Sequence, residues 1–335
     1  MTPRTPSPRD RRATILDVAA AAGVSRQTVT RAMNDMAGIS AETRARVQKL
    51  AAEMGYSPSR FAKGLVQGAR ISVGLAIPDL TNPYFPAFAS SVVEAATERG
   101  WNVVVDDYGH GTGSAVDAAA RLAPQVDALI GYLAPHQDEA QALMGRRPVV
   151  ALDSPDAGTA GSISFDYRHA ARLALRHLAS RGCRSILFLD SDQGGPAGSR
   201  SAAAAAVAAE AGIQLARLQA QPSAAAARSA VALHLAGGGS PDGMLAFNDL
   251  MAAGALKALR ESGTSVPNDC AVIGMDGIPL GELLTPELTT LALDLRAVGR
   301  AAVGLLDGLL TGAIEDRTPG AHLTLQHQLV LRQSA

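Results

Sequence analysis

The sequence predicts an N-terminal all-α helix-turn-helix head and an α/β core of two lobes, each a parallel sheet flanked by helices. Three observations predict this. Residues 1–70 carry twelve Lys/Arg against five Asp/Glu, a balance of +7, while the rest carries eighteen against twenty-six, a balance of −8. Inside the basic part, two short amphipathic helical patterns meet at one glycine, Gly23. From Ile71 onward, apolar strand-like runs alternate with helical stretches, as strands joined by crossover helices do.

With 335 residues, 47% of them hydrophobic and 18% charged, the chain can bury the cores of two or three domains. It has no apolar run of eighteen residues that would span a bilayer. Its first nine residues, Met1 to Arg9, are charged and lack the apolar stretch of a secretory signal, so a cytoplasmic protein is expected. Cys183 and Cys270 cannot build a disulfide framework and match no zinc spacing; both are expected as small buried hydrophobes in a reducing compartment. A basic head on an acidic body suits a polyanion-binding module joined to a different module. A solvated basic arm is the alternative.

Residues 1–13, rich in Pro, Ser and Arg, read as a disordered basic arm. Thr14 and Asp17 have the spacing of a capping box, and Ile15, Val18, Ala19 and Ala22 then share one helical face. Gly23 ends that helix and Ser25 caps the next. The second helix, residues 26–33, turns Val29 and Met33 inward with Val18. Arg26, Gln27, Thr30 and Arg31 are left outside, where Arg suits guanine and Gln suits adenine. Thr14, Ser25, Thr28 and Asn34 suit phosphates. A third helix is expected from Ser40 to Met54, with Val47, Leu50 and Met54 inside. An ordinary three-helix bundle with a polar surface is the plainer reading. Residues 14–57 are thus read as a DNA-binding domain and 58–70 as a hinge. A short helix after Pro58, weakened by Gly64, would carry Arg60, Lys63 and an exposed Leu65 and would be marginal alone. It makes sense if it folds on DNA, with Leu65 entering a base step; a flexible linker is the alternative.

The text ATILDVAAAAGVSRQTVTRAMN, followed by ISAETRARVQKLAAEMGYSPSRFAKGL, closely resembles the lactose-repressor/galactose-repressor (LacI-type) family of bacterial transcriptional regulators. The resemblance implies a recognition helix at 26–33 in the major groove and Leu65 as the intercalating hinge residue.

In the remainder, strand-like runs are 71–77, 101–106, 128–133, 149–152, 186–190, 244–247 and 271–275, separated by helical stretches such as 87–99, 169–181 and 250–262. That is too many strands for one comfortable sheet, hence two lobes. Ligands of such sheets bind beyond the strands' carboxyl ends. IPDLTNPYF (77–85), AFNDLMAAGAL (246–256), VIGMDGIP (272–279) and LTPELTT (284–290) resemble the same family, whose core is periplasmic-binding-protein-like. The resemblance implies crossovers near 166, 293 and 322: lobe one at about 71–166 and 293–322, lobe two at about 167–292 and 323–335.

Polar residues at strand ends, Asp79, Asp153, Arg200, Asn248 and Asp276, can bond hydroxyls, and Tyr84 or Phe85 can pack an apolar sugar face. The resemblance implies that they line an interlobe cleft binding a small effector, in most of the family a sugar. For each Asp a helix cap or turn is the alternative. Two places depart from the family pattern. Asp166-Tyr167 stands where Asp-Asn is usual, and an alanine tract, 202–206, follows Arg200, removing bulk near the expected pocket wall.

Gly109-His110-Gly111-Thr112-Gly113 has the look of a nucleotide fingerprint, but Ser114 stands where the third glycine belongs and the next strand lacks a terminal acid; a turn is expected. The seven His are scattered and no HExxH, GxSxG or P-loop occurs. No catalytic residue, metal or cofactor is therefore expected; an enzyme would need a carboxylate pair converging in the cleft. A sugar receptor of periplasmic type explains residues 71–335 equally well but leaves the basic head without a use. The reading is a homodimeric, allosteric repressor on double-stranded, pseudo-palindromic operator DNA. Half-sites roughly 10 bp apart are expected, with no membrane partner. With no leucine heptad after the core, a dimer without a tetramerisation tail is expected.

Overall fold

The computed structural model describes residues 15–33, 36–54, 70–109, 113–154, 161–191, 200–314 and 321–335. The basic arm and most of the hinge, with Thr14, Asn34, Arg60, Lys63 and Leu65, lie outside the described residues. The chain divides into two compact units, Met1–Arg70 and Ile71–Ala335.

The first unit contains α1 (Ile15–Ala22), α2 (Arg26–Met33) and α3 (Ala41–Glu53). Gly23, at φ +63°, makes the left-handed turn between α1 and α2 that side chains with a Cβ resist. Among the described residues the buried core is Val18, Ala19, Ala22, Val29, Ala32, Val47 and Ala51. Alanines at the crossing let three short helices meet closely. None of these helices is long enough to hold alone, so their stability comes from this shared apolar face. In α3 the centre of the inner face is Val47 with Ala51, and the expected Leu50 and Met54 pack half-buried at its edge.

The second unit holds two six-stranded sheets. In chain order its elements are β1 (Ser72–Ile77), α4 (Tyr84–Thr97), β2 (Asn102–Asp107), α5 (Ala115–Leu122), β3 (Ala128–Gly131), α6 (Gln137–Met144), β4 (Val149–Leu152), β5 (Gly161–Phe165), α7 (Tyr167–Ser180), β6 (Ile186–Ser191), α8 (Arg200–Ala211), β7 (Leu215–Ala220), α9 (Ala224–Ala236), β8 (Gly243–Ala246), α10 (Asp249–Glu261), β9 (Ala271–Asp276), β10 (Thr289–Ala292), α11 (Leu295–Thr311), β11 (His322–Leu325) and β12 (Gln328–Val330). The first sheet runs β11-β5-β4-β3-β1-β2 and the second β12-β10-β9-β8-β6-β7. All pairings are parallel except β10 with β12, which is antiparallel. Central strands such as β6 and β9 are buried along their whole length, as expected where helices cover both faces.

The sequence-based reading found seven runs and missed β5, β7, β10, β11 and β12. The reason is local. β7 is an edge strand whose sequence, LARLQA, is largely exposed, and the others are three to five residues long. Such segments gain strand geometry from their neighbours and carry little period of their own.

Three passages join the lobes. The chain leaves β5 and enters α7 through the cap Asp166, and leaves β10 for α11 through the cap Asp294. The third passage is Gln326–His327, between β11 of the first sheet and β12 of the second. It falls a few residues past 322, because β11 pairs with β5 from His322 to Leu325 before the chain crosses. The first and third passages are tied together: Asp166 N–H donates to the Leu325 carbonyl at 2.9 Å, and Gln326 Nε2 donates to Asp166 Oδ2 at 3.1 Å.

Ser114 caps α5 in a reciprocal capping box with Asp117, so the glycine-rich stretch before it leads into an ordinary helix start. His110 to Thr112 lie outside the described residues. Cys270 is fully buried as expected. Cys183 corrects the expectation: it is half-buried, its Sγ 3.2 Å from the Asp242 carbonyl. Among the described residues no helix is long and apolar enough to cross a membrane.

Candidate functional sites: a polar helix face and an interlobe cleft

In the first unit, Ser25 Oγ accepts from Thr28 N–H at 3.1 Å and lies 3.0 Å from Thr28 Oγ1, fixing the start of α2. Ser25, Arg26 and Gln27 are exposed, and Thr28, Thr30 and Arg31 are half-buried. Thr30 Oγ1 bonds back to the Arg26 carbonyl at 3.1 Å, and the Arg31 guanidinium lies beside Gly38. The most open pair is therefore Arg26 and Gln27, on the first turn of α2. That turn also carries the partial positive charge of a helix N-terminus, which favours phosphate. The base of the helix is held from α3, where Gln48 Nε2 donates to the Ala32 carbonyl at 3.0 Å.

In the second unit, four of the expected residues form one buried electrostatic cluster at the strand ends. Arg200, at the start of α8, donates to the Phe247 carbonyl at 2.5 Å and to Asp276 Oδ1 at 3.2 Å. Its Cζ stands 4.5 Å from the Phe247 ring centre and 5.4 Å from that of Tyr167, within cation–π range. Tyr167 Oη donates to Asp153 Oδ2 at 2.8 Å. Tyr84 senses the charges of Asp276, Arg200 and Asp153, and its hydroxyl lies 2.7 Å from that of Tyr132. Phe85, half-buried, meets Tyr84 and Tyr132 edge-on, both at 5.2 Å between ring centres.

Asp153 and Asp276 are the two non-glycine residues with positive φ among the described ones, at +54° and +124°. Such backbone costs on the order of 1–3 kcal/mol per residue and persists where the surroundings impose it. For Asp276 the surroundings are visible. Asp249 is fully buried, and its carboxylate accepts from Thr290 Oγ1 at 2.6 Å and from Ile278 N–H at 2.9 Å, so it pins the loop after β9. Gly277 must be glycine there, since its φ is +73° and a Cβ would come within 2.4 Å of the Ala292 Cβ.

Burial pushes the Asp276 carboxyl up to about 7, with the nearby Asp249 and Asp153 adding to the shift and Arg200 opposing it. Burial also raises Asp153, against Arg200 and the Tyr167 hydroxyl. Burial lowers His327 to about 3, with Arg200 adding, so its imidazole is neutral. Tyr84, Tyr132 and Tyr167 are raised by burial and keep their hydroxyl protons. The cluster thus offers phenol donors, carboxyl acceptors and a guanidinium whose charge Asp276 already meets. That suits an uncharged polyhydroxyl ligand better than an anion, because a further charge would have to displace an existing buried pair.

Two further expected residues make local bonds. Asn248, 3% exposed, caps α10 by accepting from Met251 N–H at 2.8 Å, next to the Phe247 carbonyl that receives Arg200. Asp79 Oδ1 accepts within its own turn from Thr81 N–H and Oγ1 at 2.7 and 2.6 Å. Tyr132, Tyr167, Phe247 and Asp249 adjoin the cluster, although sequence reading did not name them as effector-site residues. Tyr132 and Phe247 each directly follow a strand, and the strand-end rule applied to aromatics would have found them. In the alanine tract after Arg200, Ala203 and Ala204 are buried where α8 meets α7, while Ala202 and Ala205 are exposed.

Comparison with known proteins agrees with both halves. The model of bacterial regulatory proteins of the lacI family matches residues 14–59, and that of periplasmic binding protein-like domains matches 175–335. The lactose operon repressor of Escherichia coli is 33% identical, with 89% of this chain and 85% of that protein aligned. A LacI family transcriptional regulator from Arthrobacter, solved in complex with lactose, is 58% identical over 79% of this chain and 99% of its own, with a TM-score of 0.76. The Lac repressor dimer bound to operator and an anti-inducer is 29% identical over 97% of this chain and 99% of its own, with a TM-score of 0.70.

Proposed function

The chain belongs to the lacI family of bacterial regulatory proteins, and from that premise we propose that it is a cytoplasmic, homodimeric repressor whose hold on operator DNA is set by lactose or a close β-galactoside bound between the lobes. The observation that carries the effector half is the buried cluster of Tyr84, Asp153, Tyr167, Arg200 and Asp276, drawn from both lobes. Its hydroxyls and carboxyls match a neutral sugar, and the 58% identity to a regulator solved with lactose supports a disaccharide as that sugar. Arg26 and Gln27 read base edges, while Thr14, Ser25, Thr28, Thr30, Arg31 and Asn34 complete the DNA face and set the phosphate register. Arg60, Lys63 and Leu65 would act at the operator centre.

The mechanism is a population shift. A sugar that bonds both lobes favours one lobe arrangement, and the differential binding changes operator affinity by about 5- to 150-fold. The cluster has no catalytic part in this reading: Asp153 and Asp276 converge, but each carboxyl is engaged, by Tyr167 and Arg200 respectively. Lactose at 100-fold above its Kd should raise the Tm of the full chain by about 5–10 °C. Asp276→Ala should abolish that rise. A chain unmoved by lactose would end the galactoside reading, and a normal rise in the variant would place the pocket elsewhere.

A further inference from the structure

Tyr167 has contacts in both lobes and at two of the passages between them. It is the first residue of α7, directly after the first passage between the lobes. Its hydroxyl donates to Asp153, at the end of β4 in the first lobe. Its ring faces the guanidinium of Arg200, at the start of α8 in the second lobe. Behind it lie Phe165, at 6.3 Å between ring centres, and His327 of the third passage, at 5.7 Å and tilted by 34°. His327 is 1% exposed and packs as a flat apolar plate, with neither ring nitrogen hydrogen-bonded among the described residues. One side chain thus touches a sugar-facing group from each lobe and two of the three passages between them.

We propose that Tyr167 is the positioning residue of the effector cleft: its hydroxyl aims the Asp153 carboxyl of one lobe while its ring seats the Arg200 guanidinium of the other, so that the polar contacts of both lobes depend on it. This rests on the effector reading above. The hydroxyl works on a carboxylate held at an unfavourable φ of +54°, where an unaimed carboxyl would have other rotamers open to it. A hydrogen bond to an ionised group is about twice as strong as a neutral one, so the hydroxyl matters most when Asp153 is charged.

That dependence separates positioning from plain packing. The groups that act on Asp153 are Tyr167 on α7 and Arg200 on α8; Asp153 in turn bears on Tyr84 on α4, Tyr132 after β3 and Asp276 on β9. The tyrosines keep their protons and the arginine its charge, so the aspartates are the groups of this cluster whose charge changes with pH. Asp153 binds its proton more tightly folded than unfolded, so its contribution to stability falls as pH rises through its folded value. Removing the Tyr167 hydroxyl raises that value further and makes the loss larger at the alkaline end.

The test uses the full chain and Tyr167→Phe, which keeps the ring against His327 and Arg200. Without ligand, the Tm difference between the two should widen by a few degrees as pH is raised. In an Asp153→Asn background the same hydroxyl deletion should give a gap that does not vary with pH. Lactose should bind Tyr167→Phe about tenfold more weakly than it binds the parent. A pH-independent gap in the native background, or equal lactose affinity in the two chains, overturns the proposal. A parent chain that does not bind lactose overturns the galactoside reading instead, and the ligand-free pH series still decides the role of Tyr167.

Discussion

In the head, Arg26 and Gln27 stand open to solvent, tied to the fold only through the helix that carries them. In the cleft, Arg200 has 13% of its side chain exposed and Asp276 has 4%, and the two are bonded to each other. The head displays its chemistry on a scaffold of seven small apolar residues. The cleft builds its chemistry out of the scaffold itself. Display lets a residue change with little effect on folding. Interlocking makes each residue answer to the others, which is what a site that must sense lobe arrangement requires.

The largest effect should come from breaking the interlocked side. Arg200→Ala leaves the Asp276 carboxyl buried without its cation, and stranding one member of a buried pair costs about 3–5 kcal/mol. Urea unfolding of the full chain should show a loss of that order together with loss of lactose binding. Loss of binding with unchanged stability would mean the pair is looser than its 3.2 Å contact indicates. On the displayed side, Arg26→Ala should weaken operator binding roughly tenfold or more and relax base preference at one position, with Tm unchanged. An unchanged preference profile removes Arg26 from the readout set. The smallest effect should be Ser25→Ala, which deletes the cap of α2 and costs about 1 kcal/mol. Its loss should appear in unfolding of the head while lactose affinity of the core stays as it was. A change in lactose affinity would contradict the separation drawn between the two regions.

Legibility differed in the same way. The head was readable almost residue by residue, because Gly23, Ser25 and the period of Val18, Val29 and Val47 are local signals, and burial followed them. In the cleft, Asp153, Arg200, Asp276 and Tyr84 were legible as strand-end or loop polar groups, yet their partners were not. Tyr167 stood out only as a residue unusual for its place. Nothing local says that it meets Asp153, fourteen positions back, and Arg200, thirty-three ahead. Asn248 and Asp79 were legible as strand-end polar groups too, and each also makes a local cap or turn bond.

By itself the sequence determined the module types, the helix starts and the two-lobed alternation, since each rests on interactions within a few residues. Tertiary structure alone decided which polar groups share a proton or a charge, where the third passage falls, and that short segments such as β10 and β12 are strands at all. The physical reason is one of range. Caps, turns and amphipathic faces are stabilised by neighbours in sequence, whereas a buried ion pair or an edge strand takes its free energy from groups that only the folded chain brings together.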